Sequence, residues 1–124
     1  MPKYVVDGYD KLIAGMVGPF ITVSVIVKAG GIRERGTVLG VVDQEEDGTW
    51  IVDVVDSTAT DGSETPFGIL ADPEVDATTE DVRATAFTSG EFNRDALIFG
   101  GTDTVDMHEL AMRNVGLHTK RVVG

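Results

Sequence analysis

The chain of 124 residues carries ten Lys and Arg against 21 Asp and Glu, a net charge of −11, with 42% hydrophobic and 25% charged residues. This length fits one domain with a modest core, the hydropathy excludes a disordered polyanion, and the negative field argues against nucleic acid or anionic membrane as a partner. There is no cysteine, which excludes disulfides and thiolate metal sites and leaves packing, or association with other chains, to supply stability.

Residues 1–19 contain the breakers Pro2, Gly8, Gly15, Gly18 and Pro19 and no sustained periodicity. Their apolar residues (Tyr4, Val5, Val6, Tyr9, Leu12, Ile13, Met16, Val17) are too many for a solvated tail, so the segment reads as an arm that orders against a partner or packs on its own domain. It lacks a basic segment followed by a continuous apolar run, and no window approaches the roughly 18 apolar residues of a membrane span, so a secreted or membrane-embedded product is not expected.

Phe20 to Lys28 is the strongest β-former, with Val23, Val25 and Val27 on one face and Thr22, Ser24 and Ile26 on the other. Ala29-Gly30-Gly31 breaks it, Ile32 to Arg35 reads as a short charged connection, and Thr37 to Val42 as a second strand. The acidic Asp43 to Gly48 predicts a hairpin loop into a strand over Trp50 to Val55. Asp56 to Thr65 is a polar surface loop, Phe67 to Ala71 a short strand, and Asp72 to Asp81 a second acidic loop.

Val82 to Thr88 alternates as a strand, Ser89-Gly90 reads as a turn, and Ala96 to Phe99 as a further strand. The convincing helix begins near Asp106, where Asp106 and Glu109 have capping-box spacing. Met107, Leu110, Ala111 and Val115 form its apolar stripe, Gly116 stops it, and Leu117 is placed for a Schellman contact ahead of a last strand, Leu117 to Val123. The fold class is therefore α+β, mainly β: a small barrel-like domain with one helix in its C-terminal half and an extended N-terminal arm.

No constellation points to catalysis, a cofactor or a metal. Asp43, Glu45 and Asp47 mimic the opening of a calcium loop, but the bidentate Glu that loop needs falls on Val54 and the flanks read as strands, which favours a hairpin tip. Asp72, Glu74, Asp76, Glu80 and Asp81 lack the apolar surroundings that shift a catalytic carboxylate and read as a solvated loop. His108 and His118 are expected on the surface, since no HExxH spacing exists; the serines lack a nucleophile elbow, and the Gly-Gly pairs lack a phosphate-loop continuation. Arg113, Lys120 and Arg121 complement the helix C-terminus, with a neighbouring copy's acidic loops as the alternative partner.

Taken together, Arg35-Gly36-Thr37-Val38-Leu39-Gly40, Asp61-Gly62, Gly68-Ile69-Leu70-Ala71, Phe87-Thr88-Ser89-Gly90-Glu91-Phe92-Asn93, His108-Glu109-Leu110 and the closing Gly-Leu strand resemble, in order and spacing, the head decoration proteins of lambda-type tailed phages. The resemblance runs from about Phe20 to the C-terminus and rests on order of appearance, since no single motif is chemically distinctive. It implies a non-enzymatic homotrimer that cements the exterior of an expanded head by clamping the major capsid protein, made in the host cytoplasm and located on the outer surface of the virion. It also implies an N-terminal segment that orders on the shell, often by adding a strand to capsid backbone.

On that reading residues 1–27 form the arm and capsid-binding strand, with Phe20, Ile21, Thr22, Val23 and Val25 as capsid contacts. Residues 28–124 form the trimerising body, with Pro66, Phe67, Phe92 and Asn93 as trimer contacts. The alternatives are a small-ligand- or calcium-binding β-barrel module using the acidic loops, or a virion tail or adhesion module.

Overall fold

Alternation in the valine-rich strands sends one row of side chains inside a small barrel and the other row outside it, and this division organises the molecule. The computed structural model describes residues 12–14 and 20–121. Its strands are β1 (Ile21–Val27), β2 (Gly31–Glu34), β3 (Val38–Gln44), β4 (Trp50–Val54), β5 (Gly68–Leu70), β6 (Glu74–Ala77), β7 (Val82–Asn93) and β8 (Leu117–Lys120). A 3-10 turn, Arg94–Ala96, and the helix α1, Val105–Asn114, lie between β7 and β8. The structure is thus mainly β with one α-helix, as the sequence predicts.

β1 pairs in parallel with β4, and the ladders β4–β3, β3–β5, β5–β7 and β7–β1 are antiparallel, so five strands close on themselves. Closure removes the lateral edges that would otherwise template aggregation. β8 adds in parallel to the far end of β7, from Gly90↔Leu117 to Asn93↔Lys120.

The barrel interior is filled by Val25, Val27, Leu39, Val52, Leu70, Ala84 and Ala86, with Val75 and Ala77 of β6 covering it. A second core, built from Leu12, Val38, Val55, Ile69, Phe92, Met112 and Leu117, lies outside the barrel wall. Adjacent residues fall in different cores, Val38 against Leu39 and Ile69 against Leu70, so β3 and β5 are the partition between them. Both cores are filled mainly by aliphatic side chains, which follows from the low aromatic content.

Several local expectations change. Ile32 to Arg35 and the Asp72 to Asp81 stretch, read as connections, contribute β2 and β6, which pair antiparallel from Gly31↔Ala77 to Glu34↔Glu74. β6 alternates outward Glu74 and Asp76 with inward Val75 and Ala77, a period-two pattern hidden in the sequence by its acidic half. Ser89-Gly90 is not a turn: β7 runs through it to Asn93, and the register slips between Ile21 and Thr22 opposite it. Ala96 to Phe99 forms only an isolated bridge, Thr37↔Ile98, after the 3-10 turn. β8 ends at Lys120, and Val122 and Val123 of the expected last strand lie outside the described residues.

The helix starts one residue earlier than expected, after Thr104, which makes no side-chain cap. Asp106 and Glu109 form no capping box with each other; both are drawn to Arg94, Asp106 to Nη2 and Glu109 Oε2 to Nη1 at 3.4 Å. The helix also presents the opposite face to the core. His108 is only 5% exposed and Met112 is fully buried, whereas Met107 is 55% and Leu110 71% exposed. His108, expected on the surface, stacks on Phe99 with ring centroids 5.2 Å apart.

Gly90 shows how tightly the long strand is built. Its φ is +147° and an added Cβ would lie 2.3 Å from Cδ1 of Phe20, so the position combines a glycine conformation with a ring seated where a side chain would be. Gly90→Ala is expected to cost about 1–3 kcal/mol in urea unfolding. A wild-type midpoint would show that Phe20 does not pack there.

Candidate functional site

β1 differs along its length. All seven residues pair with β7, but only Val25, Ile26 and Val27 also pair with β4. Among the described residues, Ile21, Thr22, Val23 and Ser24 therefore have a partner strand on one side only. Among the described residues, no strand fills the ladder position on the other side of this half-strand.

Burial follows the same division. Val25 is fully enclosed in the barrel, Ile21 is 51% exposed, Thr22 is exposed, and Val23 is half-buried. Phe20, just before the strand, is half-buried and packs edge-on against Phe87 and Phe92 at centroid distances of 6.0 and 5.9 Å. Phe87 and Phe92 lie 5.4 Å apart, and the Arg35 guanidinium covers the Phe87 ring at 5.5 Å. These three rings anchor the start of the open half-strand.

Of the chain before β1, the described residues 12–14 are tied to the body. Leu12 is buried in the second core, its carbonyl accepts the Asn93 N–H at 2.7 Å, and Ala14 N–H donates to Glu91 at 3.1 Å. The other arm residues singled out above, apart from Leu12 and Ile13, lie outside the described residues.

Of the expected trimer contacts, Phe92 lies wholly inside the chain's second core and Pro66 is buried. Phe67 and Asn93 are half-buried, Phe67 set edge-on to Trp50 at 6.3 Å.

The acidic loops use their carboxylates on their own backbone. In Asp47-Gly48-Thr49, Asp56-Ser57-Thr58, Asp61-Gly62-Ser63 and Asp76-Ala77-Thr78 the aspartate accepts the N–H of the residue two positions on, at 2.9, 2.9, 3.0 and 3.1 Å. The last three also accept that residue's hydroxyl, at 2.7, 2.6 and 2.5 Å. Each is a side-chain-closed turn. Asp72 accepts the Thr85 N–H and Asp81 the Ala29 N–H, pinning the second acidic stretch to neighbouring strands. Among the described residues no three His, Asp or Glu side chains converge as a metal group.

One polar cluster joins an exposed serine to a largely enclosed Asp–His pair. Asp103 accepts from Ser57 Oγ through Oδ1 at 2.7 Å and from Ser57 N–H through Oδ2 at 2.6 Å, and His108 Nε2 lies 2.7 Å from the same Oδ2. The order Ser–Asp–His puts the carboxylate in the middle, where it cannot orient the histidine as a base toward the serine. The cluster is a brace joining the 56–65 loop to the helix, and neither histidine chemistry nor spacing in the sequence signals it.

A model of the family described as bacteriophage lambda head decoration protein D matches residues 9–118. The chain belongs to that family. A comparison with curated proteins found no match. Family membership supports a structural role in decorating the capsid of a phage head, and so a place in the virion.

The carboxylates set the acid response of this decoration protein. Side-chain and backbone bonds from Ser63 and Thr78 hold Asp61 and Asp76 below the ordinary value of 3.8, as do the Thr49 backbone and side chain for Asp47. The His108 and Ser57 bonds do the same for Asp103. A carboxyl that titrates lower in the fold than in the unfolded chain contributes stability that is present above the unfolded value and lost as pH falls through the folded one. The melting temperature is expected to hold from neutral pH to about 5 and to fall progressively below about 4. Asp103→Asn should lower it at neutral pH and make the acid decline shallower; an unchanged profile would remove Asp103 from this account.

Proposed function

We propose that the protein is a cement protein that binds the outside of the expanded phage head as a homotrimer and stabilises the shell. It would be made in the host cytoplasm, with the major capsid protein and its own copies as partners. The observation that carries this reading is the half-paired strand, Ile21 to Ser24, at the junction between the N-terminal segment and the barrel.

An extended capsid segment laid along that edge completes the ladder, with backbone hydrogen bonds supplying affinity and Ile21 and Thr22 the side-chain contacts. Phe20 and Val23 support the edge from beneath, and Val25 fixes the strand in the barrel, so the five residues act as one unit although only part of it touches the shell. The division at residue 27 is functional in this scheme: residues 1–27 engage the shell, and residues 28–124 hold that segment and form the trimer, with Phe67 and Asn93 at or near the contact and Pro66 and Phe92 behind them.

Stabilisation follows from mass action. A ligand that binds only the assembled lattice lowers its free energy by an amount set by concentration over Kd, and three linked sites multiply the effect without new contacts. The acidic surface keeps unbound copies soluble.

Co-sedimentation with expanded shells tests the reading, with binding expected to shells and none to isolated capsid subunits. Ile21→Asp, at an exposed position, should fold normally and weaken shell binding by about tenfold or more. Free protein remaining in the supernatant with mature shells present would overturn the assignment.

A further inference from the structure

Two apolar surfaces of different shape are left exposed among the described residues. The first is convex: Met107, Leu110 and Ala111 share one face of α1, at i, i+3 and i+4, and the helix's own core contact lies on the other side through His108 and Met112. The second is concave, a cleft of about 370 Å³ bordered by Ile32, Glu34, Val54, Ile98 and Phe99. Ile32 is 52% and Ile98 38% exposed. Exposed apolar patches of this kind on a small acidic protein mark contacts.

Their charges are complementary. On the helix, Asp106 is neutralised by Arg94, which leaves Arg113, one turn beyond Leu110, with no ion-pair partner among the described residues. At the cleft, Arg33 is held by Asp53 at 3.0 Å, which leaves the exposed Glu34 side chain likewise without one. The rims therefore offer one free cation and one free anion beside matching convex and concave apolar surfaces.

We infer that α1 of one copy docks into the Ile32–Val54–Ile98 cleft of the next, with Leu110 entering the cleft and Arg113 meeting Glu34. The inference rests on the homotrimer proposed above and adds to its contact near Phe67 and Asn93 a second pair of surfaces between copies. A second copy is the occupant that covers both surfaces at once, since each chain carries the knob and the hole; any other partner would have to supply both. Because the two patches differ, the contact is head-to-tail and must close a ring to remain finite. Phe99 borders the cleft and stacks on His108 of the helix, so the two patches are neighbours held in fixed relation, the arrangement that favours a small closed ring over a filament.

The absence of cysteine allows a clean test. Leu110→Cys and Ile98→Cys chains, one of them tagged, are co-expressed and treated with a short bis-maleimide, both free and bound to shells. A cross-linked dimer containing one chain of each kind, absent when either variant is present alone, is the expected result. Cross-linking of Leu110→Cys to itself would mean a helix-to-helix contact, and no cross-link in either state would mean that these surfaces do not meet; both overturn the inference.

In light scattering, Leu110→Glu should require about tenfold higher concentration to associate, while far-UV circular dichroism stays unchanged because the site is exposed. Glu34→Arg and Arg113→Glu should each weaken association, and the double variant should recover it; failure to recover would remove the ion pair. Shell binding is scored separately. Cross-linking without shell binding would sink the capsid role and keep this interface, and shell binding without cross-linking would do the reverse.

Discussion

Seven residue pairs hold β1 against β7, and the remainder of the structure depends on that ladder. It closes the barrel, because β1 reaches β4 through only three further pairs. It carries β7 past the rim, where the same strand becomes the support for Phe20, Leu12 and β8. It also creates the feature on which the proposed shell contact rests: a strand bound on one edge and, among the described residues, unfilled on half of the other. An isolated extended segment would lose most of its conformational entropy on meeting a partner. A half-strand already fixed on β7 has lost it in folding, so under the proposed contact only the partner would have to order.

The acidic surface has a structural logic of its own. Four aspartates close turns through a Ser or Thr two residues later, and others tether strands through backbone N–H groups. Such carboxylates are already engaged as acceptors, which is why spacings that mimic the opening of a calcium loop produce turns instead. Charge that could have opposed compaction is used to rigidify connections, and what remains unpaired keeps the molecule soluble.

Four strands of the barrel were legible as runs rich in Val, Ile and Leu with turn residues at their ends, β7 over its first half by alternation, and the Asp43–Gly48 hairpin by its Asp-Gly. β2 and β6 were not, because a two-stranded sheet that covers a barrel needs only one inward residue in two, and Val75 and Ala77 are a weak signal among Glu74, Asp76 and Asp72. The Ser89-Gly90 pair looks like a turn to any local rule; the ring of Phe20, far earlier in the chain, is what makes glycine necessary in mid-strand. The half of β1 unpaired with β4 could not be read at all, since nothing in Ile21 to Ser24 says that the β4 ladder begins only at Val25.

The helix carries the sharpest difference. Its apolar residues span most of its circumference, so the stripe of Met107, Leu110, Ala111 and Val115 and the pair His108 and Met112 compete for the core. Counting hydrophobicity favours the first. The second is chosen because His108 is more than a polar residue there: its ring stacks on Phe99 and its nitrogen meets Asp103, which satisfies the cost of burial. With that brace in place, the more apolar face is turned outward. A folded monomer that spends its polar residue inside and leaves Leu110 in solvent is poorly optimised as a monomer. The arrangement makes physical sense if the outward face is buried in the assembled form, where the exposed leucine supplies the contact and the histidine brace sets the angle at which the helix presents it.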